Sequence, residues 1–355
     1  MTVSPREPHR VSDPAPGARV ADERVADERV ADERVGSIDT MPPSRRADLR
    51  GVSIRPAHPD DLAVCARIWR DSINDYLAPR NLPLVPDELG PVGRLYRHLQ
   101  STDPTRFVVA TRPVRDGGRG ARVVGFASAV ERERLWFLSM LFVEPDEQAR
   151  GLGRALLEHV LPGDRSSHVL ATATDSMQPI SNALYASMGI VPRTPLFSLV
   201  GRPSARASLP ELPIGVDAAP VDPDRTSDEA DRLDAEILGV RHPRDHAYIR
   251  AEGRQAYVYR DRSGAVQAYG YTSAVGRVGP VAVRHADLLW PVVSHLLGAV
   301  EPRGASAVWV AGAAGPLVTG LLRAGLRLDG YPVLLCWSTP FADFSRYVPI
   351  SPGLL

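Results

Sequence analysis

Residues 141–154 read LFVEPDEQARGLGR, and the rest of the chain is best understood outward from them. An apolar run that starts at Leu135 ends at Val143, and Pro145 turns the chain. Further on, Leu152, Ala155, Leu156 and Val160 recur at the spacing of one helical face. The stretch is therefore a strand, a turn and a helix, with Gln148, Ala149, Arg150, Gly151, Leu152 and Gly153 in the turn. Its glycines let backbone N–H groups come close to a phosphate, and the following helix adds the positive end of its dipole. Arg150 and Arg154 can add charge-assisted contacts. The plain alternative is that Gly151 and Gly153 are turn residues only. Two other phosphate loops are excluded. The dinucleotide fingerprint needs a further glycine, and the P-loop needs a lysine, of which this chain has none.

The flanking sequence alternates strand and helix signals. VSIR at 52–55 reads as a strand, and Pro59, Asp60 and Asp61 open an amphipathic helix carrying Leu62, Cys65, Ala66, Ile68 and Trp69. Residues 76–93 read as loop and 95–99 as a short helix. Strands are expected at 107–110 and 123–130, parted by a turn at 117–120, and again at 135–143, 168–173 and 195–200. Helices are expected at 151–161 and 180–188. The fold class is α/β with a mixed sheet. Residues 203–223 hold five prolines and read as a linker. The order then repeats: helix 227–238, strands 256–259, 266–275 and 277–283, helix 286–300, strand 307–310, helix 316–323 and strand 333–337. The plan is a tandem duplication, 49–202 and 224–355. Residues 1–48 differ. RVADE runs three times over 19–33. A five-residue period advances about 140° beyond a full helical turn, so its valines form no stripe. This tail reads as disordered or marginally helical.

The turn motif resembles the acetyl-CoA loop of the GNAT (Gcn5-related) N-acetyltransferases, [RQ]-x-x-G-x-[GA] after a V-x-P strand exit. Val143, Glu144 and Pro145 and then Gln148 to Gly153 match every defined position. A second segment, NALYASMGI at 182–190, resembles the family's N-x-x-L-Y-x-x-x-G-F, with Ile190 for the usual Phe. IRPA at 54–57 adds a weaker likeness. The resemblance covers about 50–202 and implies two tandem GNAT-like acyl-CoA N-acyltransferase domains, the second degenerate. It implies acetyl-CoA as acyl donor, lying in the splay of a mixed sheet. Backbone groups of Leu141 and Val143 would pair with the pantetheine amides. The N–H groups of Gln148, Ala149, Arg150, Gly151, Leu152, Gly153 and Arg154 would hold the pyrophosphate. Asn182 would lie near the cofactor, and Tyr185 would protonate the departing thiolate. Backbone N–H groups between Met140 and Val143 would hold the oxyanion. The base is open: the central strand LWFLSMLFV has no carboxylate, Glu131 and Glu133 could act through water, Asp175 is another candidate, and an amine that arrives already neutral or a water chain would also serve. Mycothiol synthase is a tandem relative that works through its C-terminal half, whereas the intact motif here is N-terminal.

The second half lacks the loop: its strand runs into Arg284-His285-Ala286-Asp287, and Leu321 stands where Tyr185 does. Tyr257 and Tyr259 share one strand face, as do Tyr269 and Tyr271 on the next, and read as cross-strand packing more than as a pocket. His242 and His246 have helical ligand spacing, but Pro243 argues against a regular helix and no third ligand stands out, so no metal is expected. Forty-two basic and forty-two acidic residues cancel, which argues against nucleic-acid or membrane-surface partners. Cys65 and Cys336, the two cysteines, fit a reducing cytoplasm, and 1–10 lacks a signal region. The expected reaction is direct attack of a small-molecule or protein amine on acetyl-CoA in a ternary complex, because neither cysteine lies in a motif. The loop at 76–93 would shape the acceptor pocket, with Asp75, Arg80, Asp87 and Glu88 as selectors. A non-catalytic acyl-CoA sensor is the alternative, and a homodimer through the second half is compatible with both.

Overall fold

The protein is described by a computed structural model over residues 49–114, 120–204, 209–221 and 227–355. The RVADE tail at 1–48 and most of the 117–120 turn lie outside these residues. The first half comprises β1 (Ser53–Pro56), α1 (Leu62–Leu77), α2 (Gly90–Thr102), β2 (Phe107–Pro113), β3 (Ala121–Arg132), β4 (Leu135–Val143), α3 (Leu152–Val160), β5 (Val169–Asp175), α4 (Pro179–Ala186) and β6 (Val191–Gly201). The second comprises β7 (Val216–Pro220), α5 (Ser227–Ile237), α6 (Pro243–Ala251), β8 (Gln255–Asp261), β9 (Val266–Thr272), β10 (Arg277–Val278), β11 (Val281–Val283), α7 (Leu289–Ala299), β12 (Ser306–Ala311), α8 (Gly315–Arg323), β13 (Arg327–Leu328), β14 (Val333–Trp337) and β15 (Tyr347–Val348).

Three expectations change. Residues 76–93 are not all loop: α1 continues to Leu77 and α2 begins at Gly90, with Pro91 in its first turn. Proline's missing N–H is no loss there, so Pro91 starts a helix that it would have broken further in. The same holds at Pro243, the first residue of α6. The 203–223 segment is not a bare linker, because β7 pairs with β8 as β1 pairs with β2.

Among the described residues a ten-stranded mixed sheet runs β1-β2-β3-β4-β5-β14-β6-β12-β10, with β13 beside β6, and a second sheet runs β15-β11-β9-β8-β7. The junction of the large sheet carries a strand exchange. β14, from the second half, lies antiparallel between β5 and β6, with Leu335 opposite Ala173 and Thr194. β6, from the first half, lies between β14 and β12, with Phe197 opposite Val310. Each half thus lends its last long strand to the other. The cores follow suit. One cluster gathers around α3 and another around α7, while the largest joins Tyr96, Phe107 and Phe126 of the first half to Ile237, Ile249, Tyr271 and Leu354 of the second. The described residues between 49 and 355 form one compact unit.

Cutting the chain at residue 202 should therefore leave β5 and β6 without the strand that joins them, exposing two open edges. Residues 49–202 alone should show no cooperative thermal transition by circular dichroism. A sharp transition near that of the full chain would show the exchange to be dispensable.

Candidate active site

β4 is apolar on both faces because the sheet is covered on both, by α1 and α2 on one side and α3 on the other. It pairs in parallel with β5 only from Leu135–Val169 to Leu138–Thr172. The Thr172 hydroxyl closes this run by donating to the Leu138 carbonyl at 2.9 Å. On its other side β4 carries a bulge. Ser128 faces Met140 and Ala129 faces Leu138, so Ser139 is the extra residue. Beyond the bulge β4 runs on to Val143 without β5, whose path follows β14 instead. A wedge-shaped gap opens between the two strands.

The backbone lining this gap follows from pairing phase. The Glu144 N–H donates to the Val124 carbonyl at 2.9 Å. Antiparallel alternation then turns the N–H and C=O of Leu141 and Val143 away from β3 and into the gap. The Val143 carbonyl is already engaged there by Ser72 Oγ and Gln148 Nε2, each at 3.0 Å. Its N–H and both Leu141 groups are what the strand can offer a ligand amide. The Gln148 side chain thus fixes the loop.

After Pro145–Glu147 the chain passes through Ala149 at φ 59° and Gly151 at φ 83°. Left-handed residues so close together curl the backbone into a concave nest of N–H groups, which suits an anion. The first helical bond of α3 runs from Ala155 N–H to Gly151 C=O, so the N–H groups of Leu152, Gly153 and Arg154 have no helical acceptor. A Cβ placed on Gly153 would meet nothing within 4 Å. Space over this glycine is therefore open to an incoming group.

Glu147, fully buried, anchors the loop. Arg112 Nε lies 2.9 Å from its carboxylate, Arg122 2.9 Å and Arg150 3.1 Å, while Arg122 also pairs with Glu144. Arg150 thus leans back on the loop, and Arg154 donates to Ser187 Oγ at 3.1 Å. Nothing in the sequence marks Glu147, because burial of one acidic loop residue has no periodic signature.

α4 crosses beside the far wall of the gap. Asn182 donates through Nδ2 to the carbonyls of Asp175 and Gln178, at 3.0 and 2.8 Å, while its buried Oδ1 finds no donor among the described residues. Tyr185 is 5% exposed. Burial, then the neighbouring Cys336 of β14, push its phenol above the ordinary range, against a smaller opposing pull from Ser181. It stays protonated and can act as a donor.

The base candidates separate in space. Glu131 pairs with Trp136, near the closed end of β4, and is held by Arg106 at 2.8 Å and His168 at 3.2 Å. Glu133 lies in the β3–β4 turn at φ 50°. Both are remote from the gap. Asp175, at the end of β5, accepts from Tyr76 Oη at 2.5 Å and from the Met177 N–H at 2.8 Å. Tyr76 lies in the last turn of α1, so this pair joins the two sides of the gap. Of the four residues considered as acceptor selectors, Asp75 is exposed, Asp87 pairs with Arg70, Arg80 donates to the Tyr76 carbonyl at 2.6 Å, and Glu88 accepts from the Gly90 N–H at 2.8 Å. A cavity of about 510 Å³ lies between α1 and residues 144–146, lined by Arg67, Ile68, Asp71 and Glu144 among others. It reaches neither Asn182 nor Tyr185.

The second half contributes to this site and fills its own. Ser139 Oγ, at the bulge, donates to the Gly353 carbonyl at 2.5 Å, and Ile350, Leu354 and Leu355 are buried in the shared core. In the second half β10 pairs in parallel with β12, as β4 does with β5, and the chain then departs along β11. Here β15 takes the free side of β11, with Val348 opposite Val281. The helix ends match: Ile190 N–H bonds to the Tyr185 carbonyl and Leu326 N–H to the Leu321 carbonyl, both at 3.0 Å. Leu321 occupies the tyrosine's place. Tyr259 bonds to His295 of α7, and Tyr269 and Tyr271 are buried on the opposite face of the sheet, where their hydroxyls reach Asp234 and His246.

Residues 69–190 match the model of the acetyltransferase (GNAT) family. This segment is a GNAT domain. It contains β4, the loop, Asn182 and Tyr185. A protein from Pyrococcus horikoshii described as an acetyltransferase superposes with a TM-score of 0.65 at 14% identity, over 86% of this chain and 96% of its own. A GCN5-related N-acetyltransferase from Sphaerobacter thermophilus does so at 0.53 and 16%, over 83% and 98%. One from Anabaena variabilis does so at 0.51 and 11%, over 80% and 72%. At these identities the likeness shows the fold, and it extends well beyond the GNAT domain. No curated protein matches this chain. Among the described residues no helix is long and apolar enough to cross a membrane.

Proposed function

We propose that the chain transfers an acyl group, acetyl first, from a CoA thioester to an amine by direct attack in a ternary complex. The observation that carries this is the gap beyond Ser139, lined by free strand groups and leading to a left-handed loop with open space over Gly153. Leu141 and Val143 take the pantetheine amides, the N–H groups of 148–154 take the pyrophosphate, and Asn182 Oδ1 accepts from the pantetheine arm. The amine nitrogen attacks the thioester carbonyl, an amide C–N bond forms and the C–S bond breaks. Tyr185 gives its proton to the leaving thiolate. The amine's surplus proton leaves toward Asp175, held by Tyr76. The buried thiols of Cys65 and Cys336, both pushed up chiefly by burial, are poor nucleophiles, which supports direct attack over an acyl-enzyme. Because β15 fills the second half's counterpart gap, we assign one donor site per chain.

Gly153→Val tests the reading. Its Cβ enters open space, so the melting temperature should change by no more than a few degrees, in line with a surface substitution of about 0.5 kcal/mol. Calorimetric titration of acetyl-CoA should show one site in the native chain and none in the variant. Failure of the native chain to bind acetyl-CoA would sink the proposal. Binding without CoA release in the presence of any amine would favour a sensor.

A further inference from the structure

Two helices of the second half bring together a cluster that the acyl-transfer reading does not use. Asp231 and Asp234 stand one turn apart on α5, and His242 and His246 one turn apart at the start of α6. All four are buried, at 8%, 0%, 3% and 0% exposure. Asp234, His242 and His246 can each present one donor atom with all three atoms within 4.8 Å of one another. His246 Nε2 lies 2.7 Å and His242 Nε2 3.1 Å from the same oxygen, Asp234 Oδ2. Donors around a tetrahedral zinc, at bonds of roughly 2.0–2.1 Å, lie about 3.3 Å apart. The His242–Asp234 spacing is close to that, the His246–Asp234 spacing is about 0.6 Å shorter, and all three donors stay within 4.8 Å of one another, so a small outward shift of the side chains admits the ion.

The outer contacts lie behind the inward atoms, where His246 Nε2 and Asp234 Oδ2 share a hydrogen bond at 2.7 Å that an ion would replace. Tyr271 Oη is 3.0 Å from His246 Nδ1, and Tyr269 Oη donates to Asp234 Oδ1 at 2.5 Å. Each fixes the far side of its partner, as groups behind metal ligands do. His242 Nδ1 lies 3.8 Å from Asp245, itself held by Arg132 and His98. Neither ring nitrogen of His242 makes a well-directed hydrogen bond, although Nε2 approaches Asp234 closely, and Asp231 Oδ1 is likewise buried without a partner. A buried imidazole without a well-directed partner for either nitrogen is costly. A divalent ion would engage it, and two carboxylates would balance the ion's charge.

We propose that Asp234, His242 and His246 bind a divalent transition-metal ion, zinc before others, with Asp231 closing the fourth position. Imidazole donors select zinc or a neighbour over magnesium or calcium. The site is structural: burial of all four side chains leaves no open position, and the ion ties α5 to α6 beside the contact that joins the two halves.

The test uses the full chain without a histidine tag. Purified protein should carry about one zinc per chain by elemental analysis. Metal-stripped protein should take up one zinc in competition with a chromogenic chelator. His242→Gln should lose that uptake, and Tyr271→Phe should weaken it about ten- to a hundredfold. No uptake by the native chain, or equal uptake by His242→Gln, would overturn the proposal. Should His242→Gln fail to fold, cobalt-loaded native protein decides: strong visible bands of a four-coordinate site support it, and a weak six-coordinate spectrum overturns it. Acetyl-CoA plays no part in these readouts, so they are independent of the acyl-transfer reading.

Discussion

Tyr185→Phe should lower kcat about a hundredfold and leave acetyl-CoA affinity and melting temperature nearly unchanged. The change removes one oxygen from a ring that is 5% exposed, so packing is preserved. What disappears is the donor that the proposed reaction assigns to Tyr185. The second half supplies an internal comparison. Leu321 closes α8 with the same backbone bond that Tyr185 makes at the end of α4, and it is fully buried. The fold therefore accepts a hydrocarbon at this place, and the hydroxyl needs a reason other than packing. Burial holds the phenol protonated above its ordinary value, so the acid form persists. Activity should show no alkaline fall from this group below about pH 10. Steady-state rates of CoA release for both proteins across pH decide the matter. A kcat within twofold of native would make Tyr185 a packing residue, with acid catalysis sought elsewhere.

The local structure of the candidate site is legible in the sequence where it follows from adjacent residues. The run of residues 141–154 carries its strand, loop and helix in order, and the left-handed Gly151 stands where the motif demands it. Ala149 adopts φ 59° without any residue-type signal, because alanine there is a position imposed by the loop. The bulge at Ser139 was equally hidden, since it arises from register against β3. The tandem layout was visible as a repeated element order. The strand exchange was not: β6 and β14 read the same whether they close their own half or the other. The loop reading of 76–93 and the reading of Pro243 failed for one reason. Pro91 and Pro243 each open a helix, and interior and first-turn proline look alike until the helix start is known. Asp234 was missed as a partner of His242 and His246 because it belongs to another helix, and only tertiary packing closes the distance.

Arg132→Met should destabilise the chain by about 3–5 kcal/mol, the usual consequence of breaking a buried ion pair from one side. Arg132 ends β3 and is 6% exposed. It donates through Nε and Nη2 to both oxygens of Asp245 on α6, each at 2.8 Å, and through Nη1 to Asp103 at 2.9 Å. His98 of α2 completes the set at 2.7 Å from Asp245. The cluster therefore joins β3 and α2 of the GNAT domain to α6 of the second half. Methionine keeps the stem's volume but strands two buried carboxylates. Burial alone would raise the Asp245 carboxyl, but the bonds from Arg132 and His98 outweigh it and hold it below the carboxylate range. A depressed folded value means that this stabilisation is present above the unfolded value of about 3.9 and is lost as pH falls below it. The difference in stability between native and variant should thus shrink in strong acid, below about pH 4. Asp245→Asn should cost less than Arg132→Met, because the amide can still accept one bond from Arg132. The double variant should fall short of the sum by about 1–3 kcal/mol, since both changes break one contact. Urea unfolding of the four proteins at several pH values measures all of this. Additive losses, or an Arg132→Met effect below 1 kcal/mol, would mean that the apolar core and the exchanged strands hold the halves together unaided.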